Sequence, residues 1–238
     1  MFHSPMSTRR DRSDIRPPQR AITSRTEEQV FLGVRPNLFH MRTYAKGVEL
    51  FSQGQLLDEV VYVANGWVKL LEVDGEGTEI IAQLACNGDW LGSASAIAGT
   101  PTEVSAVTCV QTQIAVISTT VFRSLLDKDT EFSLLIHKAQ AHQLLRLTRL
   151  ILQLSSQTSR QRLQFVMHEF IRALGTRETA HDVRVRMPLL HRELAQLIGV
   201  TPEHLSRLLK EIEFEGLIRR DKGWIVIPDV SRFHPACS

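Results

Sequence analysis

The sequence has little of what marks secreted, membrane-spanning or disulfide-bonded proteins. Its 238 residues include only three cysteines (Cys86, Cys109 and Cys237), which are too few and too widely spaced for a disulfide framework or a CxxC metal pair. No apolar run approaches the roughly 18–20 residues that span a bilayer. The first residues are rich in Arg and Pro, without the apolar core of a signal peptide. We therefore predict a cytoplasmic protein that makes no contact with a membrane.

Signs of catalysis are also missing. No Ser–His–Asp order, carboxylate pair, metal cluster or phosphate-binding loop stands out. None of the nine histidines is singled out by a partner at metal-ligand spacing. We predict that the chain is not an enzyme and has no metal site. A haem held by one axial histidine stays open as an alternative.

Charge is divided unevenly along the chain, although the formal net charge is only +2. Residues 1–26 carry six Arg against two Asp, residues 27–140 hold seven basic and fourteen acidic groups, and residues 141–238 hold fifteen basic and ten acidic groups. An acidic middle followed by a basic C-terminal part is typical of a sensor joined to a polyanion binder.

Residues 190–212 read LHRELAQLIGVTPEHLSRLLKEI and predict two short amphipathic helices separated by a turn. Gly199 ends the first helix, because glycine enters the left-handed region without a steric penalty. Thr201 and Pro202 begin the second helix as a hydroxyl N-cap followed by proline at the first helical position. These spacings predict a helix-turn-helix motif.

The exposed face of the second predicted helix carries Glu203, Ser206, Arg207 and Lys210, at positions i, i+3, i+4 and i+7. A carboxylate can accept from cytosine N4, and a guanidinium can donate twice to guanine. On a lone helix the same residues would indicate only a solvated charged face. The preceding helix and turn favour DNA recognition instead.

The longer stretch LHRELAQLIGVTPEHLSRLLKEIEFEGLIRR resembles the CRP/FNR family of bacterial transcription regulators, the cyclic-AMP receptor protein and fumarate-nitrate regulator types. Leu190 departs from the family pattern, which has a Thr that caps the first helix. His191 or the chain before it must then satisfy those amides. The resemblance implies a homodimeric, sequence-specific transcription regulator, an activator more often than a repressor, that binds double-stranded DNA and contacts RNA polymerase.

The fold class that follows is α+β, with an N-terminal antiparallel β-roll resembling a cyclic-nucleotide-binding domain, a long dimerisation helix and a C-terminal winged helix-turn-helix. Short strands punctuated by glycines between Tyr44 and Ser118 predict the roll. The predicted domains are a disordered basic tail at residues 1–28, the roll at 29–128, the dimerisation helix at 129–155 and the DNA-binding domain at 156–235.

A long helix is expected from about Thr130, which could cap it. Apolar residues in its C-terminal half alternate by three and four, as in a heptad seam. Packing within one chain would explain the same pattern, whereas the family resemblance implies a dimer seam. The predicted seam residues are Leu144, Leu147, Ile151 and Leu154.

The effector site departs from the relatives that bind cyclic AMP. After the turn that ends at Gly92, Ser93 replaces a Glu that holds the ribose, and Glu103 and Val104 stand where an Arg and a hydroxyl residue would bind the phosphate. A carboxylate beside a phosphate is repulsive. We expect no cyclic AMP bound in the usual mode. The cysteine-free N-terminus also speaks against an iron–sulfur cluster, so the cofactor is unknown.

Glu203, Ser206 and Arg207 resemble the set of base-contacting residues in relatives that bind a TTGAT half-site. Pro202 stands where relatives that bind a TGTGA half-site have an additional Arg. The expected operator resembles TTGAT-N4-ATCAA. Predicted DNA backbone contacts are Thr201, His204, Lys210 and Lys222, the last on a wing hairpin. The alternative function is a small-molecule-binding sensor module whose DNA-binding domain is not functional.

Overall fold

A computed structural model describes residues 36–177 and 182–229, so the predicted basic tail lies outside the described residues. The first part of the chain forms a roll of two antiparallel four-stranded sheets, with strand orders β1-β8-β3-β6 and β2-β7-β4-β5. Its strands are β1 (His40–Tyr44), β2 (Glu49–Phe51), β3 (Glu59–Asn65), β4 (Trp67–Val73), β5 (Glu79–Cys86), β6 (Trp90–Leu91), β7 (Ser105–Thr108) and β8 (Thr112–Ser118).

Strand β3 is buried on both faces because it lies between the roll interior and a layer of helices. Successive side chains of a strand point to opposite faces. Val61 and Val63 accordingly pack into the interior of the roll. Val60 and Tyr62 pack against the helices instead.

The helices that cover the roll are α1 (Ser93–Ala98), α2 (Thr119–Lys128) and α3 (Thr130–Ser156). They are held by an aromatic cluster in which the Trp90 ring lies 5.9 Å from Phe132 and 6.0 Å from Phe122, between centroids. Helix α3 is capped by Asp129, whose carboxylate accepts from the Phe132 amide at 3.0 Å. The expectation that Thr130 caps this helix was therefore wrong by one residue.

The C-terminal part, from Ser159 onward, forms a head with a winged helix-turn-helix. Its sheet has the order β11-β12-β10-β9. Its elements are α4 (Ser159–Leu174), β9 (Thr176–Arg177), β10 (Val183–Arg186), α5 (His191–Leu197), α6 (Pro202–Phe214), β11 (Arg219–Asp221) and β12 (Trp224–Ile227). The roll, long helix and winged head confirm the predicted α+β fold class.

The head packs directly on the roll, so that one apolar core runs through both. Trp67 of β4 meets Phe170 of α4 edge to face, with ring centroids 5.1 Å apart. Gln196 of α5 accepts from the Ile81 amide at 3.1 Å and donates to the Glu79 carbonyl at 3.1 Å. The sequence indicated a domain boundary between residues 155 and 156 but not this contact. None of the helices within 36–177 and 182–229 is both long and apolar enough to cross a membrane.

Candidate nucleic-acid interface

The turn between α5 and α6 is built as the sequence predicts. Gly199 has a φ of 66°, in the left-handed region. The Val200 amide donates to the Ala195 carbonyl at 3.0 Å, and this bond closes the end of α5. The hydroxyl of Thr201 accepts from the His204 amide at 3.2 Å and caps α6. The two helices share a buried stripe formed by Leu194, Ala195, Ile198, Leu205, Leu208, Leu209 and Ile212.

Leu190 has no side chain that can cap α5, and the carboxylate three residues later supplies only the other half of a capping box, by binding the Leu190 amide. Glu193 accepts from the Leu190 amide at 2.7 Å through Oε2. Its other oxygen, Oε1, lies 2.5 Å from the ammonium of Lys69 on the roll. Burial by itself raises the pKa of the Glu193 carboxyl, but the hydrogen bonds from Lys69 and Leu190 outweigh burial and lower the pKa below its ordinary value.

The face of α6 opposite the buried stripe presents Glu203, Arg207 and Lys210 to solvent, with Ser206 half-buried beside them. The pKa of the Glu203 carboxyl is lowered, first by a hydrogen bond from its own amide and then by one from the Thr201 hydroxyl. An ionised carboxylate can accept from a cytosine amine, and the guanidinium of Arg207 can donate to guanine. This face therefore brings the three predicted base-reading residues together on one exposed surface.

Two histidines that the sequence did not connect with base reading contact this face. His191 Nε2 lies 3.3 Å from the Ser206 hydroxyl oxygen. His204 Nδ1 lies 3.3 Å from Nη2 of Arg207, and His204 Nε2 lies 2.9 Å from the hydroxyl oxygen of Ser159. His204 was predicted as a phosphate contact, and both of its ring nitrogens have protein partners here. The contact with Ser159 spans 45 residues, and no local sequence signal marks it.

The wing is a tight hairpin between β11 and β12. Lys222 and Gly223 have φ values of 45° and 84°, which is the geometry of a two-residue turn with positive φ at both central positions. Lys222 is exposed at its tip. The nearby Arg220 of β11 is bound by Glu213 of α6, with Nη2 2.6 Å from Oε2. Lys222 therefore offers an ammonium at the tip of the wing, while Arg220 holds the wing against α6.

The C-terminal half of α3 exposes a continuous apolar face. Leu144 and Ile151 are 66% and 64% exposed, Leu154 is 45% exposed, and Leu147 is half-buried. Further exposed apolar residues on this half of the helix are Leu145 and Leu152. Helix α3 also binds the roll through polar contacts: Gln140 donates to Ser93 at 3.2 Å and Arg146 pairs with Asp89.

The four predicted effector residues have different environments. Ser93 is buried, and its hydroxyl donates to the Trp90 carbonyl at 3.1 Å. A Cβ on Gly92 would lie 2.4 Å from a methyl carbon of Leu57, so Leu57 fills the space beside this turn. Val104 packs on the roll core, whereas Glu103 is exposed. Within the described residues, no group of three or more His, Cys, Asp or Glu side chains could hold a metal ion.

Two family descriptions match this chain: a cyclic nucleotide-binding domain over residues 41–129 and a Crp-like helix-turn-helix domain over residues 145–234. The chain is 29% identical over 183 residues to Flp, a probable transcriptional regulator of Lacticaseibacillus casei, across 77% of this chain and 80% of that protein. It is 23% identical over 175 residues to the nitrogen fixation regulation protein FixK of Azorhizobium caulinodans, across 74% of this chain and 69% of that protein.

The fold has close counterparts among solved structures. FixK2 from Bradyrhizobium japonicum matches with a TM-score of 0.70 and 20% identity, over 84% of this chain and 98% of that one. A CRP-family transcriptional regulator from Thermus thermophilus matches with a TM-score of 0.69 and 18% identity, over 81% of this chain and 94% of that one. These likenesses show the fold alone.

Proposed function

Because the chain belongs to the CRP/FNR family of bacterial transcription regulators, we propose that it binds a palindrome resembling TTGAT-N4-ATCAA as a homodimer. An effector bound by the roll gates this binding, and DNA-bound protein activates transcription through RNA polymerase. Arg207 contacts the guanine, Glu203 contacts the cytosine paired with it, and Ser206 favours the neighbouring T·A pair.

The single observation that carries this proposal is the exposed face of α6. A helix face that is only solvated needs no particular order of hydrogen-bond donors and acceptors. Here the ionised carboxylate of Glu203 lies one turn from the Ser206 hydroxyl and the Arg207 guanidinium, on the capped second helix of a helix-turn-helix. In such motifs the N-terminal residues of the second helix reach base edges in the major groove. Glu203, Ser206 and Arg207 all lie in the first two turns of α6.

The exposed apolar face of α3 supports the homodimer. A palindrome presents two equal half-sites, so a two-fold symmetric protein is needed to read both. Exposing large apolar side chains such as Leu144 and Ile151 to water is energetically unfavourable, and a second copy of the same helix would bury them. We therefore propose that α3 pairs with its copy along Leu144, Leu147, Ile151 and Leu154.

Gating is supported by the contacts that connect the three parts of the chain. Asp89 is buried in the roll, accepts from the Cys86 amide at 2.8 Å and pairs with Arg146 of α3. Lys69 on β4 pairs with Glu193 at the start of α5. A change in the roll would thus act on both the dimer helix and the head, which is the arrangement that a two-state regulator requires.

The proposal is tested by titrating the protein with a duplex that carries the palindrome and with a scrambled duplex, over a series of salt concentrations. We expect at least about a thousandfold preference for the palindrome at one fixed salt concentration. The logarithm of the affinity should also fall linearly with the logarithm of the salt concentration. Salt-dependent binding without sequence preference would contradict the proposed operator. No binding to either duplex even at low salt, where phosphate contacts alone give non-specific binding, would favour the sensor module with a non-functional head.

A further inference from the structure

His204 lies between the start of α4 and the base-reading face of α6. Its Nε2 is 2.9 Å from the hydroxyl oxygen of Ser159, the first residue of α4. Its Nδ1 is 3.3 Å from Nη2 of Arg207. One imidazole therefore connects the proposed guanine-reading side chain with the helix that follows the break after α3.

The chemistry of the two partners determines which ring nitrogen carries the proton in this arrangement. A guanidinium has donors and no acceptor, so Nδ1 of His204 accepts from Arg207. In the neutral ring the single proton is then on Nε2, which donates to the Ser159 hydroxyl. Both nitrogens are satisfied in this tautomer. The backbone of His204 is fixed as well, because its amide donates to Thr201.

The start of α4 is attached to the helix-turn-helix at a second point. Arg162 donates from Nε to the Ile198 carbonyl at 2.7 Å, at the end of α5. It also donates from Nη1 to the Gln157 carbonyl at 2.7 Å, at the end of α3. Arg162 thus ties the start of α4 to the helix-turn-helix, which keeps Ser159 within hydrogen-bonding distance of His204.

We infer that His204 is a positioning residue for base recognition, which holds Arg207 in the geometry that reads guanine and couples that geometry to Ser159. The inference rests on the proposed function, because it assigns a cause to the base preference proposed above. A flexible arginine loses rotamer freedom when it binds a base, and a partner that limits its rotamers beforehand reduces that loss. The effect of His204 is thus expected on discrimination between bases.

A direct phosphate contact by His204 is the competing role, and it has a different signature. Loss of a phosphate contact weakens matched and mismatched sites equally and makes the salt dependence shallower. Loss of a positioning contact reduces the preference for the matched base pair and leaves the salt slope unchanged. The two roles can therefore be separated in one set of titrations.

Two conservative variants separate the two ring contacts. In His204→Asn the amide oxygen takes the place of Nδ1, so an acceptor for Arg207 remains while the contact with Ser159 is lost. In His204→Gln the amide takes the place of Nε2, so the contact with Ser159 remains while the acceptor for Arg207 is lost. Affinities are measured for the palindrome and for a palindrome altered at the proposed G·C pair, with a salt series for each variant.

We expect His204→Gln to lose about three- to tenfold of the discrimination at the G·C pair, as for one hydrogen bond. His204→Asn should retain most of it. Ser159→Ala, which removes the same contact, should change the discrimination no more than His204→Asn does, and it should change nothing further in the His204→Asn background. In an Arg207→Ala background, His204→Gln should change nothing further. Thermal unfolding at the wild-type midpoint establishes that each variant is folded.

Equal weakening of both duplexes in His204→Gln, with a shallower salt slope, would overturn the inference in favour of a phosphate contact. Full discrimination in His204→Gln would overturn it as well. Neither result would affect the proposed operator. A wild-type protein without preference at the G·C pair would instead contradict the proposed function itself.

Discussion

Lys69 on strand β4 and Glu193 on helix α5 form an ion pair between the roll and the head, with Nζ 2.5 Å from Oε1 and side chains only 15% and 11% exposed. The two residues are 124 positions apart in the sequence. The second carboxylate oxygen of Glu193 accepts from the Leu190 amide. One glutamate thus both begins the first helix of the helix-turn-helix and attaches that helix to the roll.

Replacing Glu193 with Gln should destabilise the protein by about 3 kcal/mol, because it leaves the Lys69 ammonium buried without a counter-charge. The free energy of unfolding is measured by urea denaturation at neutral pH. The double variant Lys69→Met/Glu193→Gln is the control, since it removes both charges and keeps an acceptor for the Leu190 amide. It should recover most of the loss. Equal losses in the single and double variants would show that packing, and not the charge, is responsible.

Acid should weaken the same contact. The pKa of the Glu193 carboxyl is lowered in the folded protein from an ordinary value of 4.5. The stabilisation it provides is therefore fully present above about pH 4.5 and is lost as the pH falls below that value towards the folded-state pKa. Between about pH 5 and pH 3, the free energy of unfolding should fall more in the wild type than in Glu193→Gln. Parallel curves for the two proteins would contradict this prediction.

Ile151→Asp should convert the dimer to monomers, because it places two unpaired carboxylates in the proposed α3 seam. The dissociation constant of the dimer should rise at least about a hundredfold, as measured by sedimentation equilibrium. Leu56→Asp is the matched control, since Leu56 on the roll is 65% exposed and Ile151 is 64% exposed. If both variants keep the wild-type association state, the seam is elsewhere. Monomeric wild-type protein on its operator would contradict the dimer itself.

Arg207→Ala should weaken binding to the palindrome by about 1–3 kcal/mol and remove the preference at the G·C pair, because a bidentate base contact is lost. Lys222→Ala, at the exposed tip of the wing, should weaken matched and mismatched sites alike and reduce the salt slope by about one unit. Competition binding with single-base variants in one buffer compares the two. Uniform weakening by Arg207→Ala would identify Arg207 as a phosphate contact.

Cyclic AMP should not bind at physiological concentrations, as measured by isothermal titration calorimetry. The Ser93 hydroxyl is buried and already bonded to Trp90 and Gln140, and the only charge at the four predicted effector residues is the carboxylate of Glu103. A carboxylate repels the cyclic phosphate. A micromolar dissociation constant would contradict this prediction.

The helix-turn-helix and its exposed face could be predicted from the sequence, because their signals are local. Gly199 at the turn, Thr201 as N-cap and the buried leucines of α6 all follow from helical spacing and from capping within three residues. The wing turn at Lys222 and Gly223 is local in the same sense. Local sequence signals do not always distinguish neighbouring residues. Both Asp129 and Thr130 are good N-caps, and only the geometry of the chain entering α3 selected Asp129.

The tertiary structure alone decided which distant residues meet. Lys69 and Glu193, Ser159 and His204, and Trp67 and Phe170 are each brought together by the packing of the head on the roll and of its helices on one another. The periodicity of apolar residues along the sequence does not predict such pairs, because they depend on how several helices and strands pack into one core. The sequence by itself determined the face of α6 that carries Glu203, Ser206 and Arg207. The fold determined how the helix-turn-helix is attached: Glu193 connects α5 to the roll, and His204 connects α6 to the start of α4. Both contacts join residues that are far apart in the sequence, so only long-range packing can form them.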